Sequence, residues 1–312
     1  MKKQVGNLVQ LAEHYHDEDA ARKFLENLRW PDGIACVHCG STKAYRLRPK
    51  ADSKKPGRKG LIKCGDCKKQ FTVTVKSIFE DSHIPLQKWV YGIHLLCSSK
   101  KGMSAHQLHR ELGISYESAW FMAHRIRFAM AQSPFAEKLN GVVEADEAYI
   151  GPRHPRFGGK RGRGTSKPAI FAVVQRGGDV RVFPIESASA QTLKKHIREN
   201  VSKEATIMTD ELLAYRGLDA EFAGHEKVMH SANEYVRGDA YTNTVEGFFG
   251  ILKRGVSGVY QHVSHQHLPR YLAEFEFRYN GRKISDGERT IRAIRGFEGK
   301  RLMYRDSRPS AS

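Results

Sequence analysis

Long apolar runs are missing from this sequence. No window approaches the ~18 uninterrupted apolar residues of a membrane span, and the opening Met1-Lys-Lys-Gln-Val-Gly-Asn7 leads into His14, His16, Asp17 and Glu18 without an apolar signal core. A membrane-spanning chain is excluded on that ground, and a cytoplasmic protein with no membrane partner is expected. Cysteine is scarce, with five in 312 residues, which in a reducing compartment does not suit a disulfide framework. Acidic side chains are also in short supply: 34 Asp and Glu face 52 Lys and Arg, leaving a net charge of +18. An excess of that size points to a polyanionic partner, nucleic acid first. The 40% hydrophobic content is ample for real cores, and the length suits about two domains of ordinary size.

The few cysteines are not scattered. Cys36-Val-His-Cys39 and Cys64-Gly-Asp-Cys67 are two C-x-x-C knuckles separated by 24 residues, close to the spacing of a four-cysteine structural zinc site. Each knuckle presents two thiolates to one side of a tetrahedral ion, and the ion replaces the core that so short a module lacks. One structural Zn²⁺ is therefore expected, with His38 a bystander and Cys97 the odd thiol. Between Lys43 and Lys69, eleven Lys or Arg stand against two acids. That makes a positive knob suited to phosphate contact, with Lys54, Lys55, Arg58 and Lys59 as its contact residues, although Lys50 to Lys59 also has the composition of a solvated loop.

Around this module the periodicity is helical. His16 to Trp30 carries Phe24, Leu25 and Leu28 behind an acidic first turn, and Pro85 to Cys97 aligns Trp89, Ile93 and Leu96. Ser104 with Gln107 opens a helix ending at Leu112-Gly113, and Ser115 caps the next. Helix, glycine turn, helix is the helix-turn-helix pattern, and Tyr116, Arg125 and Arg127 on its second helix are expected to face DNA. A helical hairpin with a solvated basic face reads equally well from this stretch alone.

After Asn140-Gly141 the period changes to two. Val142 to Ile150, Ala169 to Gln175 and Val180 to Ile185 read as strands, the last two joined at Gly177-Gly178-Asp179. Ala190 to Val201 reads as a helix, Ala205 to Thr209 and Lys227 to Met229 as short strands, and Asn243 to Asn280 as two helices broken around Gly255 to Gly258. This α/β order predicts a mixed sheet covered by helices. Asp146 stands inside the first strand and Asp210 ends the fourth, at a carboxyl end where ligands gather. Glu246 lies on a mostly apolar helix in one row with Asn243 and Lys253. Two strand aspartates and a helical glutamate supply the oxygens that two hard cations, Mg²⁺ or Mn²⁺, need for attack at a phosphodiester. Glu144, Glu147 and Glu211 are nearby competitors; Glu144 shares the face of Asp146 and Glu147 points the other way. The acid-free stretch Pro152 to Lys167, with Arg153, Lys160, Arg161 and Arg163, is placed to hold a DNA backbone.

Taken as a set, these residues resemble the bacterial insertion-sequence transposases that join a transposase zinc ribbon and a helix-turn-helix to an ISXO-like Asp-Asp-Glu (DDE) domain. The resemblance rests on Leu28-Arg-Trp-Pro-Asp-Gly33, Ile78-Phe-Glu-Asp-Ser82, Lys101-Gly-Met-Ser104, Ala119-Trp120 with His124-Arg-Ile-Arg127, Glu144-Ala-Asp-Glu147, Thr209-Asp-Glu211, Asn243-Thr-Val-Glu-Gly-Phe-Phe249, Leu252-Lys-Arg-Gly255 and Glu276-Phe-Arg-Tyr-Asn280. It implies an α+β multidomain chain whose catalytic part is RNase H-like, and cut-and-join DNA chemistry without a covalent protein intermediate. Matched by position, Asp146 and Asp210 are the metal-binding aspartates, Glu246 the third acid with Asn243 a contender for its place, and Lys253, with Arg254 beside it, steadies DNA near the cut. The expected division is a helical lead-in at 1–33, zinc ribbon at 34–80, helix-turn-helix at 81–135, catalytic domain at 136–285 and C-terminal tail at 286–312. Double-stranded DNA, as element ends and target, is the expected partner, with several copies of the chain assembling on it. The rival expectations are a decayed or domesticated DNA-binding regulator, and an RNase H-like nuclease that cuts without joining.

Overall fold

The computed structural model describes residues 6–47, 59–131, 137–151, 167–228 and 242–307. In chain order the helices and strands are α1 (Leu8–His14), α2 (Glu18–Arg29), β1 (Ala44–Arg46), β2 (Ile62–Cys64), β3 (Gln70–Phe71), α3 (Leu86–Ser98), α4 (Ala105–Leu112), α5 (Tyr116–Met130), β4 (Val142–Tyr149), β5 (Ala169–Gln175), β6 (Val180–Ile185), α6 (Ala190–Asn200), β7 (Thr206–Asp210), β8 (Gly224–Val228), α7 (Asn243–Gly255), α8 (Leu268–Asn280) and α9 (Asp286–Arg295). They divide into two units, one of Met1–Ser99, Ala105–Met130 and Ile284–Ser312, the other of Lys100–Ser104 and Ala131–Lys283. Among the described residues no helix is long and apolar enough to cross a membrane.

In the first unit, Asp17 caps α2 by accepting from the Ala20 N–H at 2.7 Å, and Glu18 and Asp19 complement the helix dipole. The small antiparallel sheet β1-β2-β3 and the chain just after β3 are each tied to α2 by a side chain. Arg29 donates to the Val73 and Val75 carbonyls at 2.7 and 2.8 Å, and Glu26 takes a two-pronged pair from Arg46 at 2.7 and 3.1 Å. The α4–α5 turn depends on Gly113, whose φ of +56° is left-handed; the Ser115 hydroxyl then accepts from the Ser118 N–H at 3.2 Å to start α5.

Two expectations fail in this unit. Residues 286–312, expected as a tail, begin with α9, opened by a Ser285/Glu288 capping box. Its Thr290 meets buried His94 of α3 at 3.1 Å, while Phe297 sets its ring on Phe79 at 5.3 Å. The apolar stripe of α9 is only Ala293 and Ile294 among charged residues, too thin to stand out in sequence. Arg125 and Arg127, expected to face DNA, are 5% and 2% exposed. Arg125 donates to the carbonyls of Ile78, Glu80 and Leu302 at 2.8, 2.9 and 3.1 Å, so it clamps two chain segments, 78–80 and Leu302, to α5. Replacing it strands those buried carbonyls. Arg125→Met is expected to cost about 2–4 kcal/mol, seen as a lower melting temperature with unaltered DNA affinity of the folded molecules.

The second unit is a five-stranded mixed sheet in the order β6-β5-β4-β7-β8, with β4, β5 and β6 antiparallel and β4, β7 and β8 parallel. This is the expected mixed sheet, three consecutive antiparallel strands extended by two parallel ones. Alternation along β4 sends Val143 and Ala145 to one face, packed with Leu193 and Ile197 of α6. Ala148 and Ile150 go to the other, packed with Val245, Phe248, Phe249 and Leu252 of α7 and with Leu272 and Phe275 of α8. The edge strand β6 carries Pro184, which suits an edge, and α8 covers its outward backbone groups. Asn280 accepts from the Val180 N–H at 2.8 Å and donates to the Val180 carbonyl at 3.1 Å. Glu276 accepts from the Val182 N–H at 3.1 Å. That accounts for Glu276 and Asn280 in the block at 276–280: they close an edge that would otherwise template strand addition. Pro269 sits in the first turn of α8, where its missing N–H costs nothing.

Candidate metal centres and active site

In the first unit the Cys36 and Cys67 sulfurs lie 3.7 Å apart and those of Cys39 and Cys64 3.6 Å apart, with all four within 4.8 Å of one another. A tetrahedron with Zn–S bonds of about 2.3 Å has edges of about 3.8 Å, so the four thiols already stand at zinc-holding separations. Their electrostatics ask for a cation. Against burial, which raises it, backbone N–H groups of Cys67 and Asp66 pull Cys64 down to about 6. Cys39, despite a backbone hydrogen bond from Ser41, is pushed up to about 12 by desolvation and by its neighbours' sulfurs. Four crowded thiols do not all ionise without positive charge between them, and a divalent ion supplies it. His38 turns its ring to Phe71, 6.1 Å between centroids, and stands outside this group.

In the second unit the parallel register of β4 on β7 pairs Val142 with Thr206, Val143 with Ile207 and Glu144 with Met208. Two residues further along both strands stand Asp146 and Asp210, on the face that α7 covers. Asp146 accepts from the Glu147 N–H at 2.8 Å, and Asp210 from the Leu212 N–H at 3.1 Å. From α7, Glu246 accepts from the Thr242 hydroxyl at 3.2 Å. The Asp146 carboxyl is pushed up to about 8, by desolvation first and then by the negative charges of Glu147, Asp210 and Glu246. The second and third acids thus lie within electrostatic reach of the first. These carboxylates do not draw together as the thiols do: among the described residues the four cysteines alone bring three or more ligating groups so close. The donor set, all oxygen and two of its members on rigid strands, fits a hard cation.

The competing acids separate cleanly. Glu144, on the face of Asp146, is wholly buried and committed to protein donors: Thr244 N–H at 2.7 Å, Val245 N–H at 3.0 Å, the Thr244 hydroxyl at 2.8 Å and Arg176 Nε at 2.7 Å. Glu147 points to the opposite face and accepts from the buried Tyr215 hydroxyl at 2.9 Å; Glu211 is exposed. Tyr215 and Arg176 are neighbours that sequence reasoning did not find, since nothing local marks a partner 68 or 32 residues away. Asn243, Lys253 and Arg254 are exposed on α7, with Lys253 Nζ 5.8 Å from the Phe249 ring centre.

Of the expected DNA contacts, Tyr116 is exposed and stacks on His106 at 4.3 Å, and Lys59 pairs with Asp19 at 3.2 Å. Lys54, Lys55, Arg58, Arg153, Lys160, Arg161 and Arg163 lie outside the described residues.

The raised Asp146 carboxyl has a signed consequence. Its folded value, about 8, exceeds the ordinary 3.8, so the folded chain holds a proton that the unfolded chain has released. Metal-free stability is expected to fall as pH rises between those two values. Added Mg²⁺ should flatten that slope and release protons below pH 8, measurable by titration in weak buffer.

Parts of the chain match transposase family models. Residues 138–280 match the family of the ISXO2-like transposase domain, and residues 16–70 match the transposase zinc-ribbon domain. An uncharacterized protein in transposable element ISH50 of Halobacterium salinarum is 29% identical over 276 residues, covering 84% of this chain and 90% of its own. Among solved structures, the pre-cleavage Mos1 transpososome aligns at 12% identity over 65% of this chain and 73% of that one, with a TM-score of 0.27. The Mos1 strand transfer complex aligns at 12% identity over 66% and 73%, also at 0.27.

Proposed function

We propose that this chain, which carries an ISXO2-like transposase domain behind a transposase zinc ribbon, is the transposase of an insertion sequence, cutting at the element's inverted-repeat ends and joining them to target DNA. The observation that carries the reading is the β4–β7 register, which sets Asp146, inside β4, and Asp210, at the end of β7, each two residues past its last pair, with Asp146 in the electrostatic field of Glu246. In this reading Asp146, Asp210 and Glu246 hold two Mg²⁺ or Mn²⁺ ions. When bound, the ions activate the attacking water or 3′-hydroxyl and stabilise the leaving oxygen of an in-line displacement.

The chain's own part is placement. Asp146 and Asp210 offer carboxylates from strands fixed in a sheet, and Glu246 offers one from a helix packed on that sheet. Lys253 and Arg254, exposed further along α7, set positive charge against the scissile strand's phosphates. The zinc ribbon, with Lys54, Lys55, Arg58 and Lys59, and Tyr116 of the helix-turn-helix engage the ends. Arg153, Lys160, Arg161 and Arg163 bind the DNA backbone. More than one copy assembles on the DNA, in the cytoplasm at the nucleoid.

The test is mobilisation in cells of a marker flanked by this gene's own neighbouring DNA. Movement is expected with wild type and not with Asp210→Asn or Glu246→Gln. Movement that survives in Glu246→Gln transfers the third ligand to Asn243, and movement that survives in Asp210→Asn removes the two-metal reading.

A further inference from the structure

The N-terminus of α7 lacks its own cap. Thr242, in the capping position, makes no side-chain cap hydrogen bond; its hydroxyl donates instead to Glu246 Oε1 at 3.2 Å. The residue type that ordinarily satisfies a helix start is turned toward the third acid. The cap comes from elsewhere in the chain, from Glu144 on β4, which accepts from the Thr244 and Val245 N–H groups. A carboxylate there also meets the positive end of the helix dipole.

Glu144 has no exposed surface. A buried carboxylate is tolerated only when paired and hydrogen-bonded, and this one is: two backbone N–H groups, the Thr244 hydroxyl and the Arg176 guanidinium use its acceptor sites. It therefore has no lone pair to spare for a cation, although its place in the strand invites that role. Its location gives it another. Glu144 lies two residues before Asp146 on the same face of β4, and its partners Thr244 and Val245 lie just before Glu246 on α7. One side chain thus joins the strand that carries the first acid to the helix that carries the third.

We propose that Glu144 is a positioning residue, a buried clamp that fixes the Asp146–Glu246 separation by capping α7 and so frees Thr242 to orient Glu246. The proposal rests on the reading of Asp146, Asp210 and Glu246 as cation ligands. Glu144→Gln keeps one oxygen for the two backbone donors but sets an NH₂ group against Arg176 and the Thr244 hydroxyl, so the clamp is broken while side-chain size is kept. Thr244→Val removes one hydroxyl donor, and Thr244→Ser keeps it.

The experiment is Mn²⁺ binding to the zinc-loaded full chain, followed by electron paramagnetic resonance, with strand joining from pre-cut ends measured alongside. Expected is a tenfold or larger rise in the Mn²⁺ half-saturation point for Glu144→Gln, about threefold for Thr244→Val, and wild-type behaviour for Thr244→Ser. DNA-end affinity should stay unchanged in all three. A purely structural cap would lower the melting temperature of Glu144→Gln and leave half-saturation within twofold of wild type, which overturns the proposal. Should Glu144→Gln not fold, the Thr244→Val and Thr244→Ser pair decides, and equal Mn²⁺ binding by those two overturns it. Asp146→Asn separates the two levels. If that change leaves Mn²⁺ binding intact, the acid site itself is misread; if it weakens binding while Glu144→Gln does not, the clamp alone is wrong.

Discussion

Asp146→Asn is expected to abolish joining of pre-cut ends to target DNA, by about a thousandfold or more, the rate equivalent of about 4 kcal/mol. The amide is nearly the same size but carries no charge to hold a cation. The same substitution should make the metal-free chain more heat-stable than wild type above pH 8. In wild type the Asp146 carboxyl is ionised there against burial and three neighbouring acids, a cost the amide does not bear. Near pH 4 the two should melt alike, because both then carry a neutral group. Loss of activity with a gain in high-pH stability is the signature of a site whose charges are arranged for a ligand rather than for the fold. Joining rates on pre-cut ends and melting curves at the two pH values check both parts.

Removing zinc is expected to have the other large effect. The free energy of a structural Zn²⁺ in a small module is about 10–16 kcal/mol and is spent on folding it. The ribbon has little to replace that: β1, β2 and β3 are three, three and two residues long, and besides Cys64 they bury only Ile62 and Phe71. Chelation, or Cys64→Ser, should open the ribbon to protease and weaken binding to element ends by about a hundredfold. The sheet of the second unit should keep its circular-dichroism signal. Cys97→Ala should leave one zinc per chain, since that buried thiol belongs to α3 and lies outside the four-sulfur group. Metal analysis and fluorescence anisotropy on end DNA measure these outcomes. Unaltered end binding by the zinc-free chain would remove the ribbon from DNA recognition.

What could be read from the sequence followed short-range rules. The two knuckles were legible because ligand spacing is local, and β4 because a period of two puts Glu144 and Asp146 on one face and Glu147 on the other. Asp210 was legible because it ends an apolar strand. The rest depended on partners far along the chain. Arg125 looked like a DNA contact on a polar helix face until its three carbonyl acceptors, 45 to 177 residues away, drew it inside. The helix α9 buries so thin a stripe that its charged residues dominated the pattern. Glu144 was counted among competing ligands because its donors are about 100 residues distant. The backbone of β6 whose edge Asn280 closes lies equally far from it. Local spacing therefore marked the candidate ligands, and tertiary hydrogen bonding showed that Glu144 is committed to protein donors.

The most direct measurement of the central claim, that Asp146, Asp210 and Glu246 act by holding divalent cations, is metal-dependent joining by Asp210→Cys. A thiolate holds Mg²⁺ poorly and softer cations better. Joining of pre-cut ends by this variant should be absent with Mg²⁺ and partly restored with Mn²⁺, while wild type joins with either. Joining at the wild-type rate with Mg²⁺ would show that Asp210 does not bind the metal, and would contradict the assignment.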